Sequence, residues 1–292
     1  MNIEEPCTPA PLRFVKGHGT ENDFVLIDDL EGTLDLSPER VARIADRRAG
    51  IGGDGVIRVV PTAKSGIDAP ADAPYWFMDY RNADGSLAEM CGNGVRVFAA
   101  HLQRSGHVAE PSFAIWTRAG VRHVEILSAP ENLEGEWIVQ VGMGVPTVAT
   151  GQREVRCGDL ALEATDVDMG NPHAVAFLPE GTDLEAFDLE RDLSVEPAPE
   201  GGTNIEIVAM RGDHHVAMRV LERGVGETRS CGTGVAATAV AAARAVSAAE
   251  NQPAPWTVDV PGGRLEVAWG ADGAVLLTGP AAIVAEGTLL LG

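Results

Sequence analysis

Two cysteines stand in nearly the same phrase, 140 residues apart. Cys231 ends the run Glu222-Arg223-Gly224-Val225-Gly226-Glu227-Thr228-Arg229-Ser230 and is followed by Gly232-Thr233-Gly234 and an alanine-rich stretch at 235–249. Cys91 follows Met90 and opens Gly92-Asn93-Gly94-Val95-Arg96. A cysteine on a glycine-rich turn at the mouth of a helix meets unpaired backbone N–H groups and the positive end of the helix dipole, which favour thiolate over thiol. Cys231 alone is a candidate nucleophile or base. Two such groups suit a reaction in which one removes a proton and the other returns one on the opposite face, inverting a stereocentre. Close approach prevents both from ionising, so one proton is shared between sites of matched pKa. The N–H groups of Gly92, Asn93, Gly232 and Thr233 can hold an α-carboxylate and stabilise the charge it gains as the α-carbon becomes carbanionic. That design requires no cofactor.

Both cysteines are presented by the same series of elements. A strand ending in Asn82 precedes Cys91 by nine residues, and one ending near Glu222 precedes Cys231 by nine. Upstream, Asn22-Asp23-Phe24-Val25 and Asn171-Pro172-His173-Ala174-Val175 hold similar places, 149 apart. The repeat predicts two homologous half-domains facing each other. In the first, a polar turn at 16–23 leads to a strand at 24–28, and a helix capped by Ser37-Pro38 runs to Gly50. Strands follow at 56–60 and 75–80, then a helix at 94–104 and strands at 113–117 and 121–127. In the second, strands are expected at 137–141, 155–162, 164–168, 174–177, 204–208 and 215–221. After the alanine-rich helix come 256–260, 264–269, 275–278 and 283–290, with hairpin turns at Gly262-Gly263 and Asp272-Gly273. Residues 50–55 read as a glycine turn, because they lack the spacing and lysine of a phosphate loop. Many short strands around two glycine-preceded helices give an α+β class.

With 292 residues and 45% apolar content the chain can bury a real core. Its 43 acidic against 22 basic residues argue against nucleic-acid or anionic-membrane partners, whose charge the protein's field repels. Residues 1–11 show no secretory signal and read as a flexible tail, and the longest small-apolar run is too short to span a bilayer, so a cytoplasmic location is expected. The four cysteines, Cys7, Cys91, Cys157 and Cys231, are far apart in sequence, and His214-His215 point to opposite faces of a strand. No metal site is expected from them, and Cys157 reads as a buried hydrophobe.

Six motifs in order, Asn22-Asp23-Phe24, Asn82-Ala83-Asp84-Gly85-Ser86, Met90 to Arg96, Met169 to His173, Asn204-Ile205-Glu206 and Glu222 to Gly234, make the chain resemble the diaminopimelate epimerase family from about Leu12 onward. The resemblance implies two pseudo-symmetric α/β domains, each a barrel-like sheet around a central helix, with the active site in the cleft. The halves are expected at 12–135, joined by the last strand at about 277–292, and at 136–276. The implied reaction is pyridoxal-independent conversion of LL-2,6-diaminopimelate to the meso isomer, in lysine and peptidoglycan precursor biosynthesis. It implies no cofactor and no partner beyond the small-molecule substrate, with a homodimer allowed for. Cys91 would take the proton from the LL substrate and Cys231 from the meso one. Asn22, Asn82, Asn171, Asn204 and Arg223 would hold the distal end of the substrate, Arg223 as a fork for its carboxylate. Glu222 would contact the reacting α-ammonium, and Gly92, Asn93, Gly232 and Thr233 would cradle the α-carboxylate. His173 either bonds locally or orients a cysteine. Thr20 and Glu21 depart from the leucine and glycine of many relatives, and Gly55 stands where some carry a substrate-contacting glutamine.

Two other readings compete. Proline and hydroxyproline racemases resemble the chain at the cysteines, but they tend to have His in place of Asn93 and lack the Glu222-Arg223 pair, which favours a long substrate with a second carboxylate. A non-catalytic binding protein on the same fold would tolerate loss of one cysteine, and both are present.

Overall fold

A computed structural model describes residues 12–132, 135–246, 255–270 and 272–290. The expected N-terminal tail with Cys7 and the end of the alanine-rich helix at 247–249 lie outside these residues.

The chain opens with a hairpin, β1 (Leu12–Gly19) and β2 (Asn22–Asp28). Gly19 pairs with Asn22, and Thr20 and Glu21 both take left-handed backbone angles, φ 50° and 61°. This is a two-residue turn whose twist matches that of the strands. The expected polar turn at 16–23 is therefore mostly strand, and Asn22 opens β2. Helix α1 (Pro38–Ala45) is capped by Ser37, whose Oγ accepts from Arg40 N at 3.3 Å, and ends at Ala45, not Gly50. Strand β3 (Gly55–Pro61) pairs in parallel with β2, and β4 (Trp76–Asn82) antiparallel with β3. Helix α2 (Gly92–Arg104) follows, then β5 (Ser112–Thr117), β6 (Gly120–Ser128) and β7 (Gly135–Gly144). Gly92 to Leu102 of α2 are all buried. A helix covered on every side needs a sheet wrapped around it, which the strands supply.

The second half repeats the plan. Strands β8 (Thr147–Cys157) and β9 (Leu160–Asp168) form a hairpin around Gly158, φ 58°, so the expected strand at 155–162 is two strands and a turn. Next come β10 (Pro172–Phe177), the short helix α3 (Leu189–Asp192), β11 (Leu193–Glu196), β12 (Asn204–Gly212), β13 (His215–Glu222) and β14 (Gly226–Thr228). Helix α4 (Gly232–Val246) is enclosed like α2, its alanines letting the sheet close around it. The chain finishes with β15 (Trp256–Val260), β16 (Gly263–Trp269) and β17 (Val275–Leu289). The two strands expected at 275–278 and 283–290 are one. Pro280 lies inside it opposite Ile138, and its carbonyl accepts from Arg96 Nε at 3.1 Å.

Strand register makes the repeat quantitative. Val25 pairs with Val56 as Ala174 pairs with Ile205, a constant offset of 149. Val56 pairs with Arg81 as Ile205 pairs with Leu221, so the third strand is offset by 140, like the cysteines. Between Pro61 and its partner Trp76 lie fourteen residues, and between Met210 and its partner Val216 lie five. That difference of nine accounts for the change of offset and places it in the loop at 62–75.

The halves are stitched together. Strand β17 pairs first with β16 and β7, then with β1. Strand β7 pairs with β6, and its Trp137 donates from Nε1 to Gln103 of α2 at 2.9 Å. Strand β7 thus packs against the first helix at Trp137. One cluster of buried residues runs from Phe24 and Val95 to Val235 and Trp256. Among the described residues no helix is long and apolar enough to cross a membrane.

Candidate active site

Each cysteine caps its own helix. Cys91 has the extended backbone of an N-cap (φ −139°, ψ 117°), and its Sγ accepts from Gly94 N at 3.4 Å. Cys231 precedes α4, and its Sγ accepts from Gly234 N at 3.4 Å. The two helix starts meet: a Cβ placed on Gly232 would lie 3.2 Å from Gly92 Cα and 3.3 Å from Asn93 N. Both positive dipole ends therefore converge on one region, which favours an anion there. Asn93 clasps the halves together, donating from Nδ2 to the Ser230 carbonyl at 3.0 Å and to Asn22 Oδ1 at 3.1 Å.

The cysteines have different electrical surroundings. Cys91 is partly exposed and its thiol donates to Asn22 Oδ1 at 3.5 Å. Burial pushes its pKa up to about 11, with Glu222 adding to the rise, while the Gly94 and Asn93 N–H groups and the Arg96 charge oppose it. Arg96 is fully buried on α2, held by Pro280 O and Thr20 Oγ1; burial lowers its pKa to about 10, which leaves it cationic at neutral pH. Cys231 is buried, and burial followed by the charges of Glu222 and Glu206 holds its thiol well above the usual range. Glu222 is itself raised by burial, with Glu206 adding, against the hydroxyl of Thr228 that it accepts.

A polar chain runs behind Cys231. Glu206 Oε1 lies 2.6 Å from His173 Nδ1, His173 Nε2 lies 3.2 Å from Asn171 Oδ1, and Asn171 Nδ2 donates to Thr233 Oγ1 at 3.3 Å. Thr233 Oγ1 is 3.4 Å from Cys231 Sγ. His173 thus reaches the cysteine through two intermediaries. On the other side, Asn22 donates from Nδ2 to Asp54 Oδ2 at 2.7 Å, which turns its carbonyl toward Cys91.

At the far end, Asn204 Oδ1 accepts from Arg223 N at 2.9 Å, and Arg223 Nη1 donates to Gly201 O at 3.0 Å. Gly202 (φ +77°) lies against the Arg223 stem, where a Cβ would sit 3.1 Å from Arg223 Cδ. The end of the 196–202 loop, a stretch whose sequence reads as a loop without showing its purpose, is therefore a bed for this arginine. Asn82 uses its amide on Ser86 Oγ within its own turn, at 3.0 Å. Gly55 pairs with Asn82, and a Cβ there would lie 2.4 Å from Arg81 O and 2.5 Å from Tyr80 Cε2. No larger residue fits at 55 while Tyr80 holds that space.

Sequence reasoning missed Glu206, Arg96 and Tyr80. Glu206 and Arg96 stood inside quoted motifs without a role. Tyr80 reads as an ordinary strand residue, although its hydroxyl is raised by burial and then by the charges of Cys91 and Glu222. The departures at 20 and 21 bridge the halves: Thr20 Oγ1 is 2.7 Å from Ser230 Oγ, and Glu21 pairs with Arg229. His214 and His215 do separate, His214 against Trp256 and His215 Nε2 2.7 Å from Asp259. Cys157 is buried.

The family model described as Diaminopimelate epimerase matches residues 14–149 and 165–284. A diaminopimelate epimerase of Streptomyces coelicolor is 53% identical over 94% of both chains. One from Corynebacterium glutamicum is 49% identical, covering 94% of this chain and 97% of its own, and one from Thermobifida fusca is 47% identical over 96% and 98%. Among solved structures, a Bacillus anthracis phenazine biosynthesis protein of the PhzF family aligns with a TM-score of 0.69 at 16% identity, covering 96% of this chain and 99% of that one. An Agrobacterium vitis hydroxyproline epimerase aligns with 0.64 at 15%, covering 96% and 91%. At such identities these two share the fold alone. The sequence match and its coverage are decisive: the chain belongs to the diaminopimelate epimerase family, isomerases acting on amino acids.

Proposed function

We propose that this chain converts LL-2,6-diaminopimelate to the meso isomer without a cofactor, by proton transfer between two cysteines, as a step toward lysine and peptidoglycan precursors. The observation that carries the reading is the pair of sulfurs capping two helices whose N-termini touch. In the LL direction the Cys91 thiolate takes the α-proton and the Cys231 thiol delivers one to the opposite face, leaving Cys91 protonated and Cys231 ionised. Reaction of the meso isomer, or exchange with water, restores the starting form. Glu222 disfavours the thiolate at both sulfurs; the asymmetry that supports this order is Arg96, which favours the thiolate at Cys91, against Glu206, which disfavours it at Cys231. The N–H groups at the two helix starts, Gly92, Asn93, Gly232 and Thr233, receive the α-carboxylate and the charge that develops on it. Glu222 meets the α-ammonium. Arg223, seated on Asn204 and the 196–202 loop, takes the distal carboxylate, aided by Asn22, Asn82 and Asn171.

The test uses reduced, pyridoxal-free enzyme and chiral separation of the isomers. Cys91→Ser and Cys231→Ser should each lower the interconversion rate by about 10²–10⁴-fold, because a serine hydroxyl ionises far less readily than a thiol. Retention of full rate by either variant would remove the two-cysteine mechanism.

A further inference from the structure

At the other end of α2, about 15 Å along the helix from Cys91, three side chains that the proposed reaction does not use converge. His101, in the last turn of α2, places Nε2 2.7 Å from Asp28 Oδ1. His107, beyond the helix end, places Nε2 3.6 Å from Asp28 Oδ2. The three donor atoms all lie within 4.8 Å of one another. His101 is buried, and His107 Nε2 is buried with no hydrogen-bond partner among the described residues. A ring nitrogen enclosed in this way beside a carboxylate calls for a proton or a metal between them.

The surroundings fix the donors. Ser105 Oγ packs against the His101 ring, 3.3 Å from Nδ1 and 3.5 Å from Nε2. Gly106, φ +70°, reverses the chain so that His107 N donates back to Leu102 O at 2.9 Å, and the Trp76 ring lies 4.9 Å from the His107 ring. The last carbonyls of α2 add partial negative charge, which favours a cation. In a tetrahedral site with bonds of about 2.0–2.2 Å the donors stand roughly 3.3–3.5 Å apart. The His107–Asp28 separation of 3.6 Å is close to this spacing, and rotation of the Asp28 carboxylate, whose side chain is 38% exposed, adjusts it and opens the shorter His101–Asp28 contact.

We propose that Asp28, His101 and His107 bind a divalent first-row transition cation, zinc being the one that two imidazoles and a carboxylate suit best, with water completing the coordination on the exposed side of Asp28. The metal takes the place of the proton between His101 and Asp28 and staples the end of β2 to the end of α2. Cysteine spacing and the His214-His215 pair gave no hint of it, because its residues come from separate elements that only the fold unites.

Full-length enzyme, stripped of metal and kept reduced with a non-chelating phosphine, is titrated with Zn²⁺ by calorimetry and with Co²⁺ by visible absorption. The expected result is one ion per chain, cobalt d–d bands without sulfur charge transfer, and a raised Tm. His107→Gln and Asp28→Asn should each weaken binding by about tenfold or more, while His107→Gln keeps wild-type epimerase activity, which also reports its folding. A Cys91→Ser/Cys231→Ser variant should bind as the wild type does. Absence of stoichiometric binding, binding unchanged in both His107→Gln and Asp28→Asn, or binding lost with the cysteines would overturn the site.

Discussion

The two sulfurs are chemically identical, and what distinguishes them is the residue behind each. Position 96 is an arginine behind Cys91, and its equivalent behind Cys231, 140 residues on, is Ala236. Position 57 is an isoleucine in the first half, and its equivalent in the second is Glu206. Replacing Glu206 with Gln keeps an acceptor for His173 but removes a negative charge from the surroundings of Cys231. Its thiol, raised by burial and by Glu222 and Glu206, then ionises at lower pH. The rising limb of kcat/KM against pH for the meso isomer should move down by roughly one pH unit. The limb for the LL isomer, governed by Cys91, should stay in place; equal movement of both limbs would contradict the division of roles. The cysteines, asparagines and Arg223 were legible in the sequence because they sit in contiguous motifs. Arg96 and Glu206 were visible there only as letters, since burial and charge at a sulfur are properties of the packed state. Tyr80 left no trace at all, its place being set by what Gly55 lacks.

The helix starts work only if they touch. Gly232 meets backbone atoms of Gly92 and Asn93, which cannot yield as a flexible side chain does. Gly232→Ala should therefore separate the two N-termini and lower kcat/KM by about 100-fold, at a stability cost of roughly 1–3 kcal/mol, measured by initial rates and urea denaturation. The strand that delivers Cys91 has its own anchor, because Asp79 of β4 is buried among Arg58, Arg81 and Arg118. Burial alone would raise its carboxyl, but the hydrogen bond and charge of Arg118, with those of Arg81 and Arg58, lower it. A depressed folded pKa contributes stability that is fully present above the unfolded-chain value of about 3.9 and is lost as pH falls through the folded one. Asp79→Asn should cost roughly 3–5 kcal/mol at neutral pH and flatten the loss of stability below about pH 4 in thermal melts across pH. Element types were largely legible from periodicity and caps. The tight Thr20-Glu21 turn, the Gly158 turn and the unbroken β17 were not, because each is decided by the partner strand.

Across the molecule, the constant offsets of 149 and 140 describe one half-fold used twice, with the loop at 62–75 as the main difference in length. The pseudo-twofold plan was readable from the repeated motifs. The return of the last strand to the first half was expected from the family resemblance; the place of β7 was not, since its sequence alternates like any strand and only the ladder shows which helix it encloses. This plan places the two cysteines in equivalent positions at helix starts that meet, the arrangement on which the proposed transfer of a proton from one side of a carbon to the other rests. The most direct measurement is reaction of LL-diaminopimelate in D₂O with reduced, pyridoxal-free enzyme, with meso-diaminopimelate and proline run in parallel, following α-deuterium in substrate and product at early times. The account predicts deuterium at the inverted α-carbon of the meso product, little in the remaining LL substrate, and none in proline. Absence of exchange, or product that keeps the original proton, would contradict it.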